Sequence, residues 1–215
     1  TTLFRSIRDS LSGDIFEALN SAHLDLSRGL ALSGSPGVAL YKVLERLLVV
    51  NGVIDWTMPR DEAYRFMGIG KEIERIDMIG RLLAVRHDQL WPTAGPLATL
   101  RAAGALSAFL RTGASINGEE VRSFLVLDAT FPRSMRSCAA DAEDAVRFLD
   151  RLGVGDGGAL LREVGMLRSS LEYATNPTAG NVDRLASEAR LAAVRASDEV
   201  NRAFFRQHGT IVWSH

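Results

Sequence analysis

The sequence TMPRDEAYRFMGIGKEIERIDMIGRLLAVR, residues 57–86, is the longest uninterrupted helical pattern in the chain. Pro59 suits a helix start, and Asp61 and Glu62 place acidic groups at the positive end of the helix. The pattern continues to about Gln89 and stops before Trp91-Pro92. It therefore predicts a helix of about 29 residues, roughly 43 Å long, near the centre of the fold.

A helical wheel divides the residues of this stretch between several faces. One apolar face contains Phe66, Ile69, Ile73, Ile76, Gly80, Leu83 and Ala84. Further apolar residues point elsewhere, and a helix that is apolar nearly all round is usually central. We therefore expect Glu74, Asp77 and Arg81 to be at least partly buried, where charges need partners. Asp77 and Arg81 are four residues apart and can form a pair along the helix.

These charges allow two interpretations. In the first, Glu74, Asp77 and Arg81 form a structural ion network that holds neighbouring helices in register. In the second, they line a polar site, in which Arg75 or Arg81 holds an anionic ligand. Glu74 or Asp77 would then act as a base or accept an amine. Arg60 and Asp61, at the predicted helix start, belong to the same candidate polar site.

The rest of the chain is also helical in pattern. The predicted helices cover residues 3–29, 38–50, the central stretch that Thr57 and Pro59 introduce and that ends at about Gln89, and then residues 97–111, 117–126, 133–152, 157–174 and 180–207. Asn51-Gly52 is expected to end the second helix, and no segment alternates long enough to predict a strand. The sequence therefore predicts an all-α fold, an antiparallel bundle of seven to eight helices that forms one domain over residues 1–215.

Composition excludes several classes of protein. The formal net charge of -1 gives no bulk attraction to nucleic acid or to an anionic membrane. No apolar run reaches the roughly 18 residues of a membrane span. Cys138 is the only cysteine, which excludes an internal disulfide and favours a reducing, cytoplasmic location. The chain starts at Thr1, already in a helical pattern, so we expect that the polypeptide began earlier.

Motifs for cofactors are not found in the sequence. The four histidines are scattered, with no Glu-x-x-His pair and no His-Glu-x-x-His, so we expect no metal. There is no Walker-type phosphate loop, so we expect neither ATP binding by this chain alone nor another cofactor. Arg133 and Ser134, at the helix start beside Pro132, are candidate anion-binding residues. The alternative for these two residues is an ordinary capped turn.

Four ordered segments carry a family resemblance. They are residues 57–83, containing Glu74-Arg75 and Asp77-Met78, then SIRDSLSGDIFEALN (6–20), FLVLDATFPRSMRSC (124–138) and SLEYA (170–174). Together they resemble the bacterial alpha-E family, a predicted α-helical domain defined by a Glu-Arg motif. Members of that family are usually longer, and carry an earlier Glu-Arg helix. The resemblance therefore implies that this chain corresponds to the C-terminal two-thirds of the usual length.

The resemblance also implies a functional context. The family is typically encoded beside, or fused to, a circularly permuted ATP-grasp protein, which implies a system that forms amide or peptide bonds. Our first hypothesis is an accessory domain that scaffolds the ATP-grasp ligase or presents its substrate. The second is an enzyme acting on amide or amino-acid intermediates through Glu74, Arg75, Asp77 and Arg81. The third is a structural bundle that forms a homo-oligomer.

Overall fold

The computed structural model describes residues 12–32, 36–155, 157–174 and 178–205, and in these ranges the regular elements are all helical. The all-α class is confirmed. The α-helices are α1 (Gly13–Leu32), α2 (Pro36–Thr57), α3 (Glu62–Ala84), α4 (His87–Leu90), α5 (Gly95–Ala102), α6 (Leu106–Leu110), α7 (Gly118–Leu127), α8 (Met135–Arg151), α9 (Gly158–Glu172) and α10 (Ala179–Val200). A π-helical turn, Asn201–Phe205, follows α10. The predicted helical residues 3–11 and 206–207 lie outside the described ranges.

The chain divides into two compact units, of which the first is Thr1–Tyr64. Within it, α1 packs against α2, and Ile15 and Val50 are buried. Ser12 at the start of α1 lies 3.4 Å from Thr57 at the end of α2, measured between their hydroxyl oxygens, so the two helices are antiparallel. Much of α2 is nevertheless apolar and exposed, at Val38, Leu40, Tyr41, Leu44, Leu47, Leu48, Val49 and Trp56.

The second unit is Arg65–His215. Within it, α9 packs against both α8 and α10, while α7 contacts α5, α8 and α10. Its largest fully buried side chains are Ile69, Ile76, Leu100, Phe109, Val121, Leu125, Val126, Met135, Leu149, Leu160 and Leu171. One face of α3 contributes to this core, so the core supports the charged residues that the sequence places on the same helix.

The start of α3 differs from the prediction. Thr57 belongs to α2, where its hydroxyl donates to the carbonyl of Val53 at 2.8 Å. Met58 precedes Pro59 and is not helical, because the proline ring disfavours the α conformation in the residue before it. The backbone N–H of Tyr64 donates to Asp61 Oδ1 at 3.2 Å, so Asp61 caps a helix that begins at Glu62.

The end of α3 also differs. The helix stops at Ala84 after 23 residues, shorter than predicted. Arg86 then adopts the left-handed conformation, with φ of 56°, which turns the chain into the separate helix α4. A non-glycine residue in this region is uncommon and requires support from its surroundings. The sequence between Ala84 and Trp91 gives no proline or glycine that would have revealed this break.

Two further helix boundaries correct the sequence prediction. The helix α2 continues through Asn51-Gly52, where the Asn51 side chain donates to the Leu47 carbonyl at 2.8 Å. A helical glycine costs only about 1 kcal/mol relative to alanine, which the rest of the helix offsets. In contrast, the predicted helix 97–111 is split into α5 and α6, because Gly104 has φ of 64°. The predicted cap of α7 is confirmed, since Asn117 accepts from the N–H of Glu120 at 3.0 Å.

Candidate functional site

The two faces of α3 have different environments. The buried residues are Ile69, Glu72, Ile73, Ile76, Asp77, Ile79, Gly80 and Leu83. The exposed residues Met67, Gly70, Glu74, Met78 and Arg81 of α3, together with Val85 just after its end, recur at three- to four-residue spacing and form one stripe, which we call the Glu74 face. Asp77 is buried as expected. Glu74 and Arg81 are exposed, contrary to expectation, because the apolar residues around them are themselves exposed.

The buried Glu72 is the partner of Arg75. Arg75 Nη1 lies 2.9 and 3.1 Å from the two carboxylate oxygens of Glu72, which is 3% exposed. Lys71 Nζ lies 3.5 Å from the same carboxylate. The side chain of Glu74, by contrast, forms no hydrogen bond or ion pair within the described ranges. Glu74 and Arg75 therefore do not form an adjacent ion pair, and the pairing of Arg75 with Glu72 was not predicted.

The thiol of Cys138 lies in the same neighbourhood. Burial and the adjacent Glu72 carboxylate raise the pKa of Cys138 above its usual range. Its sulfur lies 3.7 Å from the Pro132 carbonyl, and the residue is fully buried. The thiol is therefore protonated at neutral pH, which suits a structural role and not a nucleophile. Partial desolvation and Glu72 also raise the pKa of Asp141.

Asp77 links α3 to α10. Arg81 Nε donates to Asp77 Oδ2 at 2.6 Å, which confirms the predicted pair along the helix. The second oxygen, Oδ1, lies 3.8 Å from Arg190 Nη1 and accepts no hydrogen bond. Gly80 permits this approach, because a Cβ there would lie 2.8 Å from the Cβ of Arg190. The contact between Asp77 and Arg190 therefore depends on close packing of the two helices as well as on charge.

Arg60 and Asp61 lie in the first unit, and both are engaged inside it. Arg60 donates to the Asp55 carbonyl at 2.7 Å, and its guanidinium stacks 4.0 Å from the ring centre of Tyr64. Asp61 caps α3. These local contacts explain the positions of both side chains without a ligand.

The candidate anion site at Arg133 and Ser134 is a capped turn. Ser134 is fully buried, and its hydroxyl accepts from the N–H of Ser137 at 3.1 Å while donating to the Asp128 carbonyl. That hydroxyl has no capacity left for an anion. Arg133 is exposed, and its guanidinium lies beside Gly104. The arrangement favours the structural alternative for this pair.

A charge network that the sequence did not reveal joins the start of α4 to α7 and α10. The buried Arg122 binds Asp88 and also lies 3.2 Å from Asp183, measured from Nε to Oδ1. Arg86 Nη1 lies 2.8 Å from Asp183 Oδ2, and this contact helps to hold the left-handed backbone of Arg86. Burial acts to raise the pKa of Asp88, but Arg122 and Arg86 outweigh it and hold the pKa below its usual range. The network joins three stretches that are far apart in sequence, residues 86–88, Arg122 and Asp183, so periodicity could not bring them together.

The space beside this network is too small for a ligand. A cavity of about 10 Å³ is lined by residues that include His87, Asp88, Thr99 and Arg122. This volume holds about one water molecule. In the described part of the chain, no group of histidine, cysteine and acidic residues could hold a metal ion. Among the same residues, no helix has the length and apolar character needed to cross a membrane.

A further buried carboxylate, that of Glu143, is held by arginines on α8 and α9. Glu143 is 4% exposed, and Arg147 Nε and Arg168 Nη1 lie 2.9 and 3.0 Å from its oxygens. The contact with Glu143 raises the pKa of Arg168. Buried carboxylates paired with arginine therefore recur through the second unit, at Glu72, Asp77 and Glu143. This repetition supports the structural interpretation of the charges on α3.

Comparison with known proteins identifies one family. The family model Alpha-E, described as a predicted alpha-helical domain with a conserved ER motif, matches residues 1–205. No curated protein and no solved structure matches the chain. The match covers nearly the whole sequence and includes the Glu74-Arg75 stretch that we interpret as the motif. The chain therefore belongs to the Alpha-E family.

Proposed function

We propose that this Alpha-E domain is a cytoplasmic, non-ATP-binding partner of a circularly permuted ATP-grasp amide or peptide ligase. It would scaffold the ligase or present its substrate. The family context described above supplies the partner. The Glu74 face supplies the structural support, because it places one residue of the Glu-Arg motif outward, unpaired in the described ranges, while the other is used inside the domain.

The Glu74 face has the composition of a recognition surface. Met67, Met78 and Val85 are 36%, 58% and 49% exposed, and they flank the charged side chains of Glu74 and Arg81. Methionine is enriched at protein interfaces, and a charge enclosed by apolar residues gives specificity when a complementary charge covers it. A basic side chain of the ligase would supply that charge. Arg75, the other residue of the motif, is paired with the buried Glu72.

Binding to the ligase tests this proposal. The domain and a circularly permuted ATP-grasp protein from the same genome are co-expressed, and their dissociation constant is measured by calorimetry. Glu74→Arg and Met78→Asp are each expected to weaken binding at least tenfold, which corresponds to about 1.4 kcal/mol. Asp150→Arg is the matched control, since Asp150 is exposed near the end of α8, where a cation is tolerated. Equal affinities for all four proteins, or no complex at all, would contradict the proposal.

The enzymatic alternative has less support from the geometry. Arg75 binds both carboxylate oxygens of the buried Glu72, and Arg81 donates its Nε–H to Asp77, so each arginine already has a carboxylate partner with which an anionic intermediate would have to compete. The alternative requires Glu74→Gln and Arg75→Lys to abolish an activity. Variants that lose stability while every activity of the complex persists would exclude it.

A second candidate function is homo-oligomerisation through α2. Tyr41, Leu44 and Leu48 are 63%, 50% and 63% exposed, and their spacing matches the apolar seam of a coiled coil. In a dimer, the apolar seams of the two α2 helices would pack against each other. Light scattering after size exclusion is expected to show a dimer that Leu44→Glu converts to a monomer, whereas Glu45→Gln leaves it intact. A monomeric parent protein would exclude this function.

A further inference from the structure

Two open cavities lie side by side in the second unit. Both are lined by Thr112 and Phe124, and their volumes are about 260 and 270 Å³. Ligand pockets usually measure roughly 300 to 1,000 Å³, so either lobe alone is small and the two lobes together fall within the range. Neither lobe is lined by Ser134 or by the charged residues of α3. They therefore form a separate place at which a small molecule could bind.

The floor between the two lobes is a rigid aromatic cluster. The ring of Phe124 meets Phe109 edge-on, with centroids 5.3 Å apart, and stacks on Phe131 at 5.2 Å. Phe109 and Phe131 are buried, and Phe124 is 8% exposed. Packed aromatic rings keep their positions and offer an apolar surface at little entropic cost. An apolar group of a ligand could therefore rest on Phe124 without rearranging the core.

The two lobes carry opposite charges. Glu120 and Asp128 line the first lobe, and Arg111 lines the second. Within the described ranges, neither Glu120 nor Arg111 forms an ion pair, although most arginines of the second unit do. Asp128 is held in place by three hydrogen bonds to its Oδ1, from Thr130 N and Oγ1 at 2.8 Å and from Phe131 N at 2.7 Å. Its other oxygen remains available to a ligand in the first lobe.

We infer that these lobes form a binding site for a short zwitterionic peptide with an apolar side chain. The ammonium group would lie in the first lobe against Glu120 and Asp128, and the carboxylate would lie in the second against Arg111. Hydrogen bonds between ionised groups are about twice as strong as neutral ones, and arginine matches a carboxylate in a bidentate geometry. The apolar side chain would pack on Phe124. The use of such a peptide as a ligase substrate rests on the proposed function, but its binding does not.

Calorimetry on the full chain with L-leucyl-L-leucine tests this site. We expect saturable binding that Arg111→Gln and Glu120→Gln each weaken at least tenfold. Arg151→Gln and Glu119→Gln are matched controls, because both residues are exposed and lie outside the two cavities. Acetylation of the dipeptide amine should cost more affinity in the parent protein than in Glu120→Gln, in which only Asp128 remains to hold the ammonium group. Amidation of the dipeptide carboxylate should likewise cost more affinity in the parent protein than in Arg111→Gln.

The outcomes separate this inference from the ligase proposal. Absence of saturable dipeptide binding would overturn the site, and so would equal losses of affinity in the control variants. Binding that is indifferent to acetylation and amidation would also overturn it, because the charges would then play no part. None of these results depends on the ATP-grasp protein. Failure of the ligase to bind the domain would leave the measured dipeptide affinity unchanged.

Discussion

Arg75 donates to both carboxylate oxygens of Glu72, three residues earlier on the same helix, at 2.9 and 3.1 Å. Glu72 is buried, whereas Glu74, the neighbour of Arg75 in sequence, is exposed. The two residues of the Glu-Arg motif therefore face different environments. The arginine stabilises the interior, and the glutamate remains available on the surface.

This arrangement predicts unequal costs for removing the two glutamates. Glu72→Ala leaves Arg75 partly buried without its partner and is expected to lower the free energy of unfolding by roughly 1 to 3 kcal/mol. Glu74→Ala removes an exposed side chain and should change it by less than about 0.5 kcal/mol. Urea unfolding followed by circular dichroism measures both. Similar costs for the two variants would show that the environments are not distinct.

The network around Arg122 is expected to contribute strongly to stability. Arg122→Ala leaves Asp88 and Asp183 without a buried cation and should cost roughly 2 to 4 kcal/mol, since Asp183 keeps 33% of its side-chain exposure. Arg184→Ala removes an exposed pair with Glu188 and should cost about 0.5 kcal/mol or less. Denaturant midpoints of the two variants provide the comparison. A cost for Arg122→Ala as small as that for Arg184→Ala would mean that the network is dispensable.

The pKa shifts predict losses of stability at both ends of the pH range. The pKa of Asp88 is lower in the folded state, so its contribution is present above the unfolded pKa of about 3.9 and is lost as pH falls further. The pKa of Cys138 is raised, so its contribution is complete below the unfolded pKa of about 8.5 and is lost as pH rises. The free energy of unfolding should therefore decrease on both the acidic and the alkaline side of neutral pH.

Two variants assign these losses to their groups. The difference in stability between the parent protein and Asp88→Asn should be constant near neutral pH and shrink on acidification. Relative to Cys138→Ala, the parent protein should lose stability only on the alkaline side. A difference that does not change with pH in either case would refute the assignment for that group.

Two glycines of α3 should respond in opposite directions to the same substitution. Gly80→Ala would place a Cβ 2.8 Å from the Cβ of Arg190, so the gain in helix propensity is exceeded by overpacking, with a net loss of roughly 1 to 2 kcal/mol. Gly70→Ala meets nothing within 4 Å and should stabilise by up to about 1 kcal/mol. Thermal unfolding of both variants tests the close approach of α10 to α3. If Gly80→Ala stabilised the protein, α10 would have to lie farther from α3 than the structure shows.

Local patterns predicted the parts of the structure that depend on nearby residues. The cap of α7 at Asn117 and the pair between Asp77 and Arg81 involve residues three or four apart, which a helix always brings together. The capped turn at Ser134 was the alternative to an anion site, and the hydrogen bonds of Ser134 favour it. The start of α3 was misplaced although Pro59 was visible, because proline is compatible with both a helix start and the end of the preceding helix.

The sequence by itself determined the all-α class, most helix boundaries and membership in the Alpha-E family, because these depend on periodicity, capping and ordered motifs. The tertiary structure decided which charges are buried. It placed Glu72 inside and Glu74 outside, it assembled Arg86, Asp88, Arg122 and Asp183, and it arranged Arg111 and Glu120 around Phe124. These contacts join residues distant in the chain or depend on which side of a helix the neighbours cover. Burial is a property of packing between helices, and a single helical wheel does not contain it.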